Sequence, residues 1–395
     1  MQLSRSPDLR RLRDDGYDVR ITAGGHLVLA DVPYVTDAGA IAFGQLVSKL
    51  VTAGDVTSYG GNNGVDHVAY LVGGTPCDKT GQPLTKLIHQ PSAEELEAGL
   101  TAAVGMSSKP DGDYADYHHK MTTYADMISA PAKSIDPSVT ARTFPTVADE
   151  DPTGPFQYLD TASGRAQISV VTDKLRLRKV SIVGLGGTGS YVLDLVAKTP
   201  VGEIHLYDGD DLLTHNAFRA PGAASLDTLR NKPKKVDYLA GVYSNIKRGL
   251  IPHPYHVDAD TVDELCDSDF VFITMEGNEA KRLIVEKLVD FGVSFVDVGI
   301  GVNMIGTMLQ GAVQTITRTP ATAGRAPERH EIAYEPAGGG NVYDANIQIA
   351  DLNALNAALA VIRWKKLCGF YGDGEDEHYS VYTIDGNTLI NEDTP

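Results

Sequence analysis

The chain has 395 residues, 42% of them hydrophobic and 22% charged, and its 34 Lys+Arg against 52 Asp+Glu leave a formal net charge of -18 at pH 7. Such a chain can bury a full core and, at roughly 150 residues per domain, is expected to form two domains; disorder is excluded. The acidic balance argues against nucleic acid as the main partner, because duplex binding needs clustered Lys and Arg, but it leaves room for a phosphate ligand held by backbone amides.

From the N-terminus, the first twenty residues contain no apolar signal-like core, and the longest apolar stretch, residues 352–362, is too short to span a bilayer. A cytoplasmic protein with no membrane contact is expected. The segments GHLVLADVPYV, DHVAYLVGG and LTKLIHQ cluster apolar residues between turns and predict short strands, while residues 40–51 and 93–104 have helical spacing. Tyr114, Tyr117, Met121, Tyr124 and Met127 recur at helical intervals and predict a helix with one aromatic face for packing. His118 and His119, adjacent on that helix, point to different faces and cannot hold one metal together. Residues 1–130 therefore read as a smaller N-terminal α+β domain, whose architecture suggests partner recruitment. Pro131, Pro137, Pro145, Pro152 and Pro155, mixed with polar residues, mark residues 131–156 as a linker.

Residues 157–395 read as a second domain. Apolar β-rich runs at 179–183, 203–208, 270–274 and 294–298 alternate with helical stretches at 188–197 and 279–291. That alternation predicts an α/β, Rossmann-like doubly wound sheet, mostly parallel. A helix over 352–367 and a hairpin in VYTIDGNTLIN close the chain.

Between the first of these strands and its helix stands GLGGTGS, residues 184–190, where Gly184, Gly186, Gly187 and Gly189 let the backbone approach a phosphate at a helix N-terminus. This turn alone fits NAD, FAD and ATP sites. Asp208, nineteen residues after Gly189, is placed to accept hydrogen bonds from ribose hydroxyls. Asp210, Asn216, Arg219 and Lys234 follow, a set for which hydride transfer has no use. An amide, a guanidinium and an ammonium converging on the turn would instead neutralise a triphosphate and the charge that develops when a carboxylate attacks its α-phosphorus.

At these residues the chain resembles the ThiF/MoeB and ubiquitin-activating-enzyme superfamily, whose pattern is GxGGxGS, then D-x-D, an Asn eight residues after the first Asp and an Arg three residues later; Asp208, Asp210, Asn216 and Arg219 keep that spacing. The resemblance runs from about residue 157 to about residue 366. It implies an ATP-dependent adenylyltransferase in which Asp208 holds the ribose, Asn216 and Arg219 the phosphates, and Lys234 the transferred phosphoryl region, with Lys232 and Lys235 as solvated neighbours. It also implies an arginine supplied across a homodimer, for which Arg165 is the match, and a carboxylate for Mg²⁺, for which Glu276 stands where the family has Asp. Ala220 stands where the family has Gln. The zinc pairs of many relatives are missing, so no structural zinc is expected.

The resemblance further implies a partner, a ubiquitin-like β-grasp protein with a C-terminal Gly, and handover to a conjugating-enzyme-like protein. It points to a bacterial branch encoded beside such proteins, often in antiviral defence islands. The crossover segment, about residues 318–346, contains no cysteine. The adenylate could pass directly to a partner, to a hydroxyl of Thr317, Thr319 or Thr322 with His330 as base, or to Cys368. Cys266 is expected to pack, and Cys77 to lie on an exposed turn. A sulfur-carrier activator of the thiamin or molybdopterin type and a catalytically degenerate scaffold are the alternatives.

Overall fold

The computed structural model describes residues 6–53, 56–59, 67–110, 112–146, 153–166, 168–322, 332 and 347–392. They fall into two compact units, Met1–Val147 with Asp160–Ile168, and Ala148–Leu159 with Ser169–Pro395.

The first unit contains α1 (Pro7–Asp14), β1 (Val19–Ile21), β2 (His26–Val35), β3 (Ile41–Lys49), β4 (Thr52–Ala53), β5 (Val56–Thr57), β6 (Val68–Val72), β7 (Ile88–Gln90), β8 (Glu94–Glu97), β9 (Leu100–Ala102), β10 (Val104–Ser107), α2 (Tyr117–Ile135) and α3 (Thr161–Arg165). An antiparallel sheet in the order β1-β2-β3-β6-β10-β7 carries α2 on one face. The aromatic stripe of α2 is core: Tyr117, Met121 and Tyr124 are fully buried among the sheet's apolar residues.

Three expectations fail here. Residues 41–49 are a strand, not a helix, because β3 is hydrogen-bonded between β2 and β6 and tertiary pairing overrides its apolar spacing. Residues 94–102 form a hairpin, since Gly99, at φ +82°, turns the chain where a helix would have to continue. The linker does not begin at residue 131: α2 runs through Pro131 to Ile135, its last turn held by Ala132, which is buried against Val35 and Cys77. At the other end of that stretch, Arg248 N–H donates to Pro155 O and Gln157 N–H to Ile246 O, which makes residues 155–157 part of the second unit.

The second unit contains α4 (Ser169–Thr172), β11 (Lys179–Val183), α5 (Gly187–Val196), β12 (Glu203–Tyr207), α6 (Thr214–Ala217), α7 (Leu226–Asn231), α8 (Lys235–Tyr243), β13 (Leu250–His253), β14 (Phe270–Ile273), α9 (Glu279–Phe291), β15 (Phe295–Ile305), β16 (Met308–Arg318), α10 (Ala350–Leu367), β17 (Tyr379–Thr383) and β18 (Thr388–Glu392). Its sheet has the order β13-β12-β11-β14-β15-β16-β17-β18. The pairs from β13 through β15 are parallel, and antiparallel pairing begins at β16. Every residue of β11 is buried, as a central parallel strand covered on both faces must be. One face packs on α5, α8 and α10 around Trp364, the other on α9. The strand order reverses at β11, which opens a crevice beyond the carboxyl ends of β11 and β14.

Candidate nucleotide site

The glycine turn closes that crevice. Gly184 has φ +91°, and a Cβ on it would come within 3.0 Å of Thr274 O at the end of β14. A Cβ on Gly189 would lie 2.0 Å from Gly184 O and 2.5 Å from Thr274 Oγ1, so the first turn of α5 can sit against β14 only without side chains there. Gly186 has open space where its Cβ would be, and it lines a cavity with Leu185, Asn216, Ala220 and Lys235.

Asp208 is buried at the end of β12. Its Oδ2 accepts from Leu185 N–H at 2.6 Å and its Oδ1 from Asp210 N–H at 2.9 Å, so the carboxylate ties the glycine turn to the next strand. Lys235 lies 2.6 Å from Asp210 Oδ2 and 3.5 Å from Asp208 Oδ1. Burial pushes the Asp210 carboxyl up, but the Lys235 ammonium, helped by His256 and Lys234, outweighs it and holds the group below the usual carboxylate range. Asp208, Asp210 and His256 have ligand atoms within 4.8 Å of one another, the one such group among the described residues, but the Lys235 ammonium is already paired with both carboxylates.

Asn216 is buried in α6; its Oδ1 accepts from Leu213 N–H at 2.9 Å, and its Nδ2 meets no hydrogen-bond partner. Arg219 is half-buried, its Nε also without a partner. Burial lowers the Arg219 pKa, and the charges of Glu276 and Asp210 act against that shift. The positive field is felt by His215, whose pKa falls through burial and then through Arg219 and Lys235. Buried donors without acceptors, an open backbone at Gly186 and a paired ammonium suit an anionic, phosphate-bearing ligand.

The remaining expected residues divide. Lys232 is exposed. Lys235 is not the solvated neighbour expected: it is 5% exposed and lines the cavity. Lys234, by contrast, pairs with Asp211 Oδ1 at 2.8 Å and donates to Gly209 O at 2.8 Å, its side chain 41% exposed. The reason is local: Lys234 is the N-cap of α8 and Lys235 its first residue, so the two side chains leave the backbone in different directions. Glu276 is exposed, two residues before the α9 N-cap Asn278. Arg165 belongs to the first unit, its guanidinium 4.9 Å from the Phe144 ring centroid.

Thr317 is buried in β16. Thr322 is also buried, its Oγ1 accepting from Thr319 N–H at 3.0 Å in a local turn. Cys368 caps α10, and burial pushes its thiol up to about 11. Cys77 is not exposed: it is fully buried, bridged to Val35 and Pro83, its thiol raised by burial. Cys266 does not pack but is exposed, at the end of the short turn before β14. His330 and most of the crossover segment lie outside the described residues. Asn353, on α10, went unnoticed in the sequence; it reaches the turn from 165 residues away, and only its presence on a buried helix face could have flagged it.

A doubly wound sheet with a glycine turn at its switch point, an acidic residue closing the next strand and buried donors around the opening defines a nucleotide-binding domain of the Rossmann-like class. Residues 162–332 match the ThiF family, so the chain carries a ThiF-family domain there. Residues 7–161 match a domain of unknown function, DUF6791. Among solved structures, E. coli MccB with MccA-N7isoASN is 18% identical, covering 59% of this chain and 70% of that one at a TM-score of 0.46. E. coli MccB with ATP is 18% identical, covering 59% and 68% at 0.44, and selenomethionine PaaA 16% identical, covering 57% and 76% at 0.40. No curated protein matches the chain. Among the described residues, no helix is long and apolar enough to cross a membrane.

Proposed function

We propose that the protein adenylates the C-terminal Gly carboxylate of a ubiquitin-like protein with ATP. The reading is carried by the buried donors Asn216 Nδ2 and Arg219 Nε, which meet no acceptor beside the open glycine turn. In the reaction a carboxylate oxygen attacks the α-phosphorus, the acyl-phosphate bond forms, and pyrophosphate leaves with the electrons of the broken bond. Asn216, Arg219 and Lys235 stabilise the phosphates through it, and Asp210 keeps the Lys235 ammonium charged and oriented. Glu276, exposed in the loop between β14 and α9, would hold Mg²⁺, whose charge would screen the phosphates. The partner class rests on the spacing shared with the superfamily that activates Gly-ended β-grasp proteins. Cys368, Thr317 and Thr322 are all held in packing or local turns, which supports direct handover of the adenylate to a conjugating-enzyme-like protein.

The test is ATP–pyrophosphate exchange with a Gly-ended ubiquitin-like protein. Wild type should exchange only with the partner present, and Asp208→Ala and Arg219→Ala should abolish it. ATP binding without exchange for any such partner would overturn the reading and leave a nucleotide-binding scaffold.

A further inference from the structure

We propose that Asn353 is a positioning residue that clamps the nucleotide site from behind; the inference rests on the nucleotide reading of the crevice. An amide inside a helix that packs on another helix is costly to bury unless both its ends are satisfied. Asn353 is fully buried on α10, where that helix meets α5, and both its ends are used. Its Oδ1 accepts from Thr188 Oγ1 at 3.0 Å, in the first turn of α5. Its Nδ2 donates to the backbone oxygen of Arg219 at 3.3 Å.

One side chain thus joins the glycine turn to the backbone of Arg219, the residue between the cavity-lining Ala217 and Ala220 and three after Asn216. The turn makes room for it: a Cβ on Gly187 would lie 2.0 Å from Asn353 Nδ2, so the amide occupies the space that a side chain at 187 would take. One turn along the same face, Asn356 Nδ2 donates to Gly299 O at 3.0 Å and pins α10 to β15. Asn353 touches no part of the opening itself. It fixes the spacing between the Gly186–Gly187 backbone, which would cradle phosphates, and the Arg219 backbone, from which the guanidinium side chain departs. Losing it would let the two drift apart and weaken nucleotide binding without removing a ligand contact.

The experiment is a calorimetric titration of Mg-ATP into the full chain with no protein substrate. Asn353→Ala should weaken binding about tenfold, the cost of a lost pair of buried hydrogen bonds. Thr188→Val, which keeps the shape and removes only the hydroxyl, should weaken it about threefold. Because the two share one bond, the double variant should bind no worse than Asn353→Ala alone. Gly187→Ala should lose binding, and adding Asn353→Ala should restore it to the level of Asn353→Ala by itself. A role confined to general stability would lower the number of sites titrated and leave the affinity of the folded protein unchanged. Wild-type affinity in both Asn353→Ala and Thr188→Val, or losses that simply add in the double variant, would overturn the clamp while leaving the nucleotide site intact. Failure of the wild type to bind Mg-ATP would overturn the nucleotide reading itself. Should Asn353→Ala not fold, Thr188→Val carries the test.

Discussion

The two units bury polar groups to different ends. In the first, three of the polar side chains that α2 carries inward close on protein, with Ser129 Oγ the exception: Lys120 Nζ donates to Ser48 Oγ at 2.8 Å and Val68 O at 2.7 Å, Tyr124 OH donates to His67 O at 2.7 Å, and Tyr117 OH accepts from Val51 N–H at 2.7 Å. In the second, Asn216 lines the cavity beside an ion-paired Lys235 with its Nδ2 lacking an acceptor, and Arg219 Nε, three residues on, is buried without one too. A satisfied interior fixes one packing arrangement, whereas an unsatisfied one costs stability until a ligand supplies the missing oxygens. The difference leaves unpaired buried donors near the glycine turn of the second unit, and mostly paired ones at α2 of the first.

The sharpest way to break this contrast is at the paired lysines. Lys235→Ala should lower partner-dependent exchange by about 100-fold or more, as removing a charged transition-state contact does. Lys234→Ala should cost less than about threefold, because its ion pair is surface-exposed. Steady-state rates at saturating partner would decide. A larger effect at Lys234 would reverse the assignment and restore the role expected from the sequence.

A second buried pair lies away from the opening. Lys281 on α9 sits 2.5 Å from Asp297 Oδ1 on β15, both nearly inaccessible. Removing one partner of such a pair costs about 3–5 kcal/mol, so Lys281→Met should lower the unfolding midpoint strongly, and Asp297→Asn in the same chain should recover most of it. The probe is built in, since Trp364 is the chain's only tryptophan and is fully buried in this unit. Burial pushes the Asp297 carboxyl up to about 6, against the pull of Lys281. The folded state therefore takes up this proton before the unfolded chain does. This group's contribution to stability is full below its unfolded pKa and is lost as pH rises through about 6. In Lys281→Met the carboxyl loses its cation and shifts further up, so the midpoint should fall more steeply between pH 4.5 and 7 than in wild type. An unchanged slope would remove Asp297 as the source.

Much of the second unit was legible because its signals are local. A central parallel strand reads as an unbroken apolar run, as in Lys179–Val183, and the set from Asp208 to Arg219 lies within one short stretch after β12. What was not legible depends on distant partners. β3 carries helical apolar spacing yet is a strand because β2 and β6 flank it, and β15 extends past Val298 because β16 folds back along its full length. Which of Lys234 and Lys235 is buried turns on a single residue at the start of α8. Asn353 joins elements 165 and 134 residues away, beyond any local pattern.

The smallest expected effect tests the comparison without touching either site. Cys77 is buried in the first unit; in the second, Cys368 is half-buried and Cys266 is exposed. A thiol held up to about 11 is almost entirely protonated at pH 7.5, and Cys77 is inaccessible as well, so native protein should show one rapidly labelled cysteine, Cys266. In rising urea, Cys368 labelling should follow the Trp364 fluorescence transition, because both sit on α10 or at its cap. Cys77 reports the first unit alone. If the units are separate folding bodies, Lys281→Met will shift the midpoint of Cys368 labelling together with that of Trp364 and leave the Cys77 midpoint where it was. A Cys77 midpoint that moves with them would show that the first unit draws its stability from the second, and the packed interior around α2 would not then be sufficient to hold it.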